Sequence, residues 1–287
     1  MRTRWTVGLI LLGLLPSAPV VAEATQADVD ICVSETASSA QKIESCSDLL
    51  NEAEMSDQQR SIFLNYRGVA NSQTGQLDLA LDDFNAAIAL VPHPSIYYNR
   101  SEVLEAKVDY PGAINDLTLV VKANPDFVKA LSRRGILYVL TRQPNKAVED
   151  FDRVIALRPA FADAYYDRGM ANDISGKVQP ALADLSKTLE LNPKHLFALI
   201  SRSAIFTMMD NNKATVADLD RAIQIAPDRA DLYATRCFAF RRLKQDAKAD
   251  TDCAEAGELD PQLVPQLVRG HKGEIHIDHQ TGLITVD

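Results

Sequence analysis

Between Val128 and Pro159 the chain reads VKALSRRGILYVLTRQPNKAVEDFDRVIALRP, two amphipathic runs broken at Arg142-Gln143-Pro144 and closed by Pro159. Apolar positions at helical spacing in each run predict two α-helices joined by a tight turn. Small residues stand where the two helices would touch, Gly135 in the first and Ala147 in the second. Leu131, Tyr138 and Phe151 fill the space around them. The same unit recurs on both sides. Its closing prolines are Pro92, Pro125, Pro159, Pro193, Pro227 and Pro261, separated by 33 residues and then four times by 34. A fixed period of this size predicts a stacked array of helix pairs.

The register holds residue by residue when each closing proline is counted as position 32. Position 20 reads Ala80, Ala113, Ala147, Ala181, Thr215 and Ala249, and position 24 reads Phe84, Leu117, Phe151, Leu185, Leu219 and Cys253. Position 8 reads Gly68, Ser101, Gly135, Gly169, Ser203 and Cys237. Small residues fall where helices must approach and bulky ones where space must be filled, with two cysteines as the exceptions. This pattern resembles the tetratricopeptide repeat family, with Gly or Ala at 8, an aromatic at 11, Ala at 20, Phe at 24, Ala at 27 and Pro at 32. The match spans residues 61–262 in six units: 61–93, 94–127, 128–161, 162–195, 196–229 and 230–262. Departures are local: position 11 is Asn71 and Asn172 in two units, and position 27 is Thr188 in another. The resemblance implies an all-α fold, a right-handed solenoid of six full helix-turn-helix units behind an N-terminal half-repeat cap.

The turn residues agree with the period. Gly75 and Gly176 hold the same place between the two helices of a unit, and Pro111, Pro144 and Pro180 fall in the first turn of second helices. Asn124-Pro125 and Asn192-Pro193 close helices.

Two charged positions repeat in lockstep. Position 7 is Arg67, Arg100, Arg134, Arg168, Arg202 and Arg236; position 23 is Asp83, Asp116, Asp150, Asp184, Asp218 and Asp252. Both adjoin packing positions, so a ladder of partly buried bidentate ion pairs accounts for them better than an anion-binding strip. Spacing leaves open whether each Asp meets an Arg of its own unit or of the next.

The resemblance implies that a partner polypeptide would lie in a concave groove lined by positions 2, 5, 6, 9, 12 and 13. The second unit places there Ser95, Tyr98, Asn99, Glu102 and Glu105; the third, Lys129, Ser132, Arg133, Ile136 and Val139. The fourth supplies Asp163, Tyr166, Asp167, Met170 and Asp173; the last, Asp231, Phe238, Arg241 and Arg242. Charge therefore alternates from unit to unit, with Tyr98, Tyr166, Met170 and Phe238 as exposed apolar surface. A mixed-charge peptide suits such a surface, although the same residues would also serve as solvated helix faces. Asn99, Lys129 and Arg133 match half of the carboxylate clamp of chaperone-binding family members and would hold an acidic group on a partner. The other half is missing, since Asn65 and Val69 stand at its positions.

Outside the array, residues 1–22 read MRTRWTVGLILLGLLPSAPVVA: two arginines, an apolar run from Val7 to Leu15, a break at Pro16, then small residues. That is the layout of a cleavable secretory signal, with cleavage expected after Ala22 or Ala24 and no membrane insertion afterwards. The expected location is the periplasm or the cell exterior. In such a compartment four cysteines imply disulfides. Cys237 and Cys253 sit at positions 8 and 24 of the last unit, where its two helices pack face to face, which leaves Cys32 for Cys46. Residues 23–60 read as an N-terminal cap. Its start, EATQADVD, looks polar and mobile, QKIESCSDLLNE forms a helix, and EAEMSDQQRS is a charged connector.

Residues 263–287 leave the pattern. GEIHIDHQTGLITVD alternates Ile275, Ile277, Ile284 and Val286 about a Gln-Thr-Gly turn and predicts a small β-hairpin. His271, His276 and His279 match no ligand spacing, so surface histidines are expected rather than a metal site. The formal charge of −9, falling to −11 without Arg2 and Arg4, argues against nucleic acid or anionic membrane as partner. The hydrophobic share of 46% with only 6% aromatic residues suits helices packed through Ala and Leu. No glycine-rich phosphate loop, HExxH or GxSxG occurs, and no cofactor is expected. The chain reads as a non-catalytic binding scaffold. A structural subunit using array and tail, and a metal-dependent enzyme built on the tail histidines, are the alternatives.

Overall fold

The computed structural model describes residues 23–51 and 55–263, together with the backbone of 275–277 and 284–286. The signal segment 1–22 lies outside the described residues, as do His271, His279, the Gln280-Thr281-Gly282 turn and the His276 side chain. Among the described residues fourteen α-helices follow one another. They are α1 (Glu23–Cys32), α2 (Ser39–Asn51), α3 (Asp57–Gln73), α4 (Leu77–Leu90), α5 (Pro94–Ala106), α6 (Tyr110–Ala123) and α7 (Val128–Leu140). The remainder are α8 (Pro144–Leu157), α9 (Ala162–Ile174), α10 (Val178–Leu191), α11 (Leu196–Met208), α12 (Asn212–Ile225), α13 (Ala230–Arg242) and α14 (Asp246–Leu259). Two three-residue strands, β1 (Ile275–Ile277) and β2 (Ile284–Val286), pair antiparallel with His276 opposite Thr285.

The chain forms two compact units, one ending at Lys107 and the other beginning at Val108. In the first, α1 to α5 pack in sequence order, each against the next; in the second, the helices from α6 to α14 pack likewise. The all-α class follows from the period: one hairpin of helices cannot bury both faces, but its neighbour covers what it leaves exposed. Each unit has apolar clusters of its own, Phe84 with Leu64, Ile96 and Val103 in the first, Leu185 with Leu199, Leu219 and Leu232 in the second.

Two expectations for the N-terminal region are corrected. The polar stretch from Glu23 is helix α1, packed against α2 as a full hairpin rather than a half-repeat. The reason is apolar anchoring at its C-terminal end. Cys32 is fully buried and disulfide-bonded to Cys46, and Val29 and Val33 pack on the same cluster as Leu49 and Phe63. The connector is also shorter than its charge suggests, because α3 starts at Asp57 and runs 17 residues against 13 for α5 and α7. A capping box starts it early. The Ser56 hydroxyl accepts from the Gln59 N–H, and Gln59 Oε1 accepts from the Ser56 N–H at 3.1 Å.

Inside a unit the turn is a repeated piece of geometry. The residue at position 15 adopts a left-handed backbone in all six units, Gly75 (φ 80°), Val108 (64°), Arg142 (59°), Gly176 (72°), Asp210 (56°) and Lys244 (58°). Around five of them the next N–H reaches the carbonyl five residues back, as in Gln76 to Asn71, Gln143 to Tyr138 and Lys177 to Asn172. This closure satisfies the carbonyls that end the first helix. Glycine adopts the geometry without a Cβ penalty; Val108, β-branched, adopts it with strain.

Packing at positions 8 and 24 is coupled. A Cβ at Gly68 or Gly135 would lie 2.8 Å from the Phe84 or Phe151 ring, whereas at Gly169, opposite Leu185, the closest atom would be 3.2 Å away. Where Leu219 replaces Phe, the facing residue is Ser203. In the last unit the pair becomes the Cys237–Cys253 disulfide.

Five rungs of the charged ladder close within their own repeat. Arg67, Arg134, Arg168, Arg202 and Arg236 each grip the aspartate sixteen residues on, Asp83, Asp150, Asp184, Asp218 and Asp252, through both Nε and Nη2. For Arg134 the two distances to Asp150 are 2.8 and 2.6 Å. These five aspartates are buried. The remaining guanidinium edge points back to the preceding hairpin: Nη1 donates to Ser47, Asn85, Thr118, Asp152, Ser186 and Asp220 from Arg67, Arg100, Arg134, Arg168, Arg202 and Arg236. Asn71 and Asn172, the departures at position 11, donate their amides to Asp83 and Asp184 at 2.9 and 3.1 Å. Thr188, the departure at 27, is fully buried with its hydroxyl on the Asp184 carbonyl.

Two measurements check this packing. Gly135→Ala should destabilise the chain by about 2 kcal/mol through overpacking against Phe151, while Gly169→Ala should stay within about 1 kcal/mol of neutral because helix propensity offsets a milder contact. Both are read from urea titrations followed by circular dichroism, and equal losses would refute the coupling. Asp150→Ala should cost about 3 kcal/mol, since Arg134 is left desolvated and unpaired. Asp126→Ala, which breaks the exposed pair with Arg153, should cost under about 1 kcal/mol.

Candidate functional site

Positions 2, 6, 9 and 13 of a first helix are separated by four, three and four residues and therefore share one face. In the second compact unit this face carries Lys129, Arg133, Ile136 and Leu140 on α7, Asp163, Asp167, Met170 and Ile174 on α9, and Phe197, Ser201, Ala204 and Met208 on α11. The ladder and the small-residue contacts occupy the other faces of these helices; on this one Ala204 is buried and the remaining side chains are exposed or half-buried.

The expected groove residues are placed as follows. On α5, Tyr98, Asn99 and Glu102 are half-buried, and the Asn99 amide donates to Asn65 Oδ1 at 2.9 Å. That bond already engages the clamp asparagine, which lies in the first compact unit while Lys129 and Arg133 belong to the second. Lys129 is exposed and Arg133 half-buried. On α9, Tyr166, Asp167, Met170 and Asp173 are half-buried. Arg241 reaches Asp250 on α14, Nη2 to Oδ1 at 2.9 Å.

Tyr98 and Tyr166 are not the exposed apolar surface expected of them. The Tyr166 ring lies against the apolar cluster of α10 to α13, its centroid 4.8 Å from that of His195, and its hydroxyl shares a hydrogen bond with Ser201. Burial raises its pKa. His195 caps α11, its Nδ1 accepting from the Ala198 N–H at 3.1 Å. An accepting Nδ1 places the ring proton on Nε2, which faces Asp163 Oδ1 at 3.4 Å. The apolar surface comes instead from Ile136, Leu140, Phe197 and Met208, which are 42, 37, 54 and 68% exposed. Phe197 and Met208 were legible in the sequence at positions 2 and 13 of the fifth unit, among residues not read for the groove.

Asp167 is the electrostatic outlier. Burial, and secondarily the Asp163 charge one turn earlier, push its carboxyl from the ordinary 3.8 up to about 7. The ladder aspartates each have an arginine against them; nothing comparable acts on Asp167. Among the described residues no group of three or more metal-ligating side chains comes together, and no helix is long and apolar enough to cross a membrane.

The sequence profile of the tetratricopeptide repeat matches residues 67–127 and 132–195. With the period, the hairpin packing and this match together, the assignment is direct. The chain is a tetratricopeptide repeat protein. Solved structures agree at the level of fold. The C-terminal part of a TPR repeat-containing protein from Cytophaga hutchinsonii is 17% identical, with 86% of this chain and 96% of that chain covered and a TM-score of 0.68. YrrB, described as a TPR protein with an unusual peptide-binding site, is 22% identical over 65% of this chain and 94% of its own, TM-score 0.56. MamA is 24% identical over 60% of this chain and 94% of its own, TM-score 0.55. No curated protein sequence matches this tetratricopeptide repeat chain.

The Asp167 shift has a testable sign. Its folded pKa lies above its unfolded one, so between about pH 4 and 7 the folded chain holds more of this proton and loses stability as pH rises. Asp167→Asn should therefore be more stable than the parent at pH 8, with the difference vanishing near pH 4. Urea midpoints across that range check it, and a difference that does not change with pH would refute it.

Proposed function

We propose that this tetratricopeptide repeat protein is a non-catalytic scaffold outside the cytoplasm that binds a protein or peptide segment on the face of its first helices. One observation carries the reading. Four of the ten exposed large apolar side chains among the described residues, Ile136, Leu140, Phe197 and Met208, fall on that one face of α7 and α11. Met170 on the intervening α9 is half-buried. Scattered apolar residues need no explanation, but a concentration on one face marks an interaction surface.

The fold supports the same reading. A hairpin array holds a long face rigid on packed elements, and YrrB, of similar fold, is described as having a peptide-binding site. Location outside the cytoplasm is supported by the signal-like layout of residues 1–22 and by two cysteine pairs joined as disulfides. Within the second compact unit, Lys129, Arg133 and the α9 residues Tyr166, Asp167 and Asp173 are the polar complement of the face in this proposal.

A photo-reactive amino acid placed at Ile136 or Met208 should crosslink a polypeptide in the native compartment, whereas one at Leu119, exposed on the second helix α6, should not. Equal capture at all three sites, or none at Ile136 and Met208, would overturn the reading.

A further inference from the structure

The face of α7, α9 and α11 is not uniform along the helix axes. Toward the helix N-termini it carries Lys129 and Arg133, then Asp163 and Asp167, then Phe197 and Ser201. Toward the C-termini Ile136 and Leu140, Met170 and Ile174, and Ala204 and Met208 make a band without charge. With first helices roughly 8–10 Å apart, that band extends about 20 Å, the reach of some six extended residues at about 3.3 Å each. Beside its middle stands an acidic pair one helical turn apart.

The chemistry of that pair is incomplete. Asp83, Asp150, Asp184, Asp218 and Asp252 are buried only because each has a guanidinium against it. Asp167 is half-buried, and the influences on its carboxyl are burial and the like charge of Asp163, with no cation of this chain among them. The titratable and charged groups on this face and beside it are Asp163, Tyr166 and Asp173 on α9, Lys129 and Arg133 on α7, and His195 ahead of α11; of these the Tyr166 hydroxyl and Asp163 act on or are acted on by Asp167. His195 already presents its Nε2 to Asp163. A desolvated carboxylate without a counter-charge is unfavourable, and a cation brought by an occupant would remove that penalty.

We infer that the segment bound on this face carries a lysine or arginine flanked by apolar side chains, its cation against Asp163 and Asp167 and its apolar residues on Ile136, Leu140, Met170 and Met208. This rests on the reading of the face as a binding surface and adds the chemistry of the occupant. The acidic pair supplies charge complementarity, and the uncharged band requires a chain with side chains on both sides of the cation rather than a small amine.

Panning a random dodecamer peptide library on the full chain at pH 8 tests it. Selected peptides should be enriched in Lys or Arg next to apolar residues. A synthetic consensus peptide should lose at least ten-fold in affinity on the Asp163→Asn/Asp167→Asn variant and on Ile136→Glu/Met208→Glu, both first shown to be folded by circular dichroism. Affinity should also fall from pH 8 to pH 6 as Asp167 takes up a proton, and this response should disappear in Asp167→Asn. Peptides without basic preference, equal affinity for the Asp→Asn variant, or lysine amide alone binding as tightly as the peptide would overturn the inference. If the Ile136→Glu/Met208→Glu loss persists in those cases, the reading of the face survives. Failure to select any peptide, or full binding by Ile136→Glu/Met208→Glu, would count against both.

Discussion

Five hairpins of this protein are each held by one guanidinium that makes two commitments at once. Nε and Nη2 of the position 7 arginine close on the aspartate of the same unit, and Nη1 reaches the polar residue that the previous hairpin presents. One edge fixes the two helices of a unit against each other, and the other fixes that unit against the one before. The guanidinium also stacks within 5.6–5.8 Å of an aromatic centroid, on Tyr97, Tyr138, Tyr165, Phe206 or Tyr233. Stability alone does not require so many buried pairs, because burial pushes the Asp150 carboxyl up even with Arg134 holding it back. What the pairs supply is register: a hairpin slipped by one residue would strand a desolvated charge at every step.

Steric fit works with the ladder. Where the second helix offers a phenylalanine, as at Phe84 and Phe151, the first offers a glycine; where it offers Leu185 or Leu219, Gly169 or Ser203 suffices. The aromatic missing at position 11 in two units is replaced by an asparagine that gives the buried aspartate another donor. The ends of the array, which have a neighbour on one side only, are closed covalently by Cys32–Cys46 and Cys237–Cys253. Such bonds restrict the unfolded chain by about 2–4 kcal/mol each.

The exposed face of the first helices follows from what those constraints leave over. Ladder, glycine contacts and turn closures consume the other sides of each first helix; positions 2, 6, 9 and 13 keep the exposed side chains of Lys129, Ile136, Leu140, Asp163, Phe197 and Met208, while Ala204 is buried. In the second compact unit they diverge into basic, acidic and apolar groups. Asp167 departs from the logic of the ladder, a half-buried carboxylate without an arginine, on the face that the scaffold does not need for itself.

The period, turn prolines and the small–large pairing were written in the residues, because they depend on which side chain stands at which repeat position. The cysteine pairing was legible for the same reason. Spacing could not say whether Asp150 would meet Arg134 or an arginine of the next unit, since both lie within reach along the chain and only the approach of the helices chooses. Nor could it show α1 as a helix, whose polar first turns are held by Cys32 and Val29 through contacts with α2, or Tyr166 folded down onto His195 and Ser201. The left-handed turns at Arg142, Asp210 and Lys244 contradict local preference and exist because hairpin packing outweighs about 1–2 kcal/mol of backbone strain. The sequence by itself determined the repeat; tertiary structure decided which charges neutralise one another and which are left over, because desolvation is a property of neighbours in space and not of neighbours along the chain.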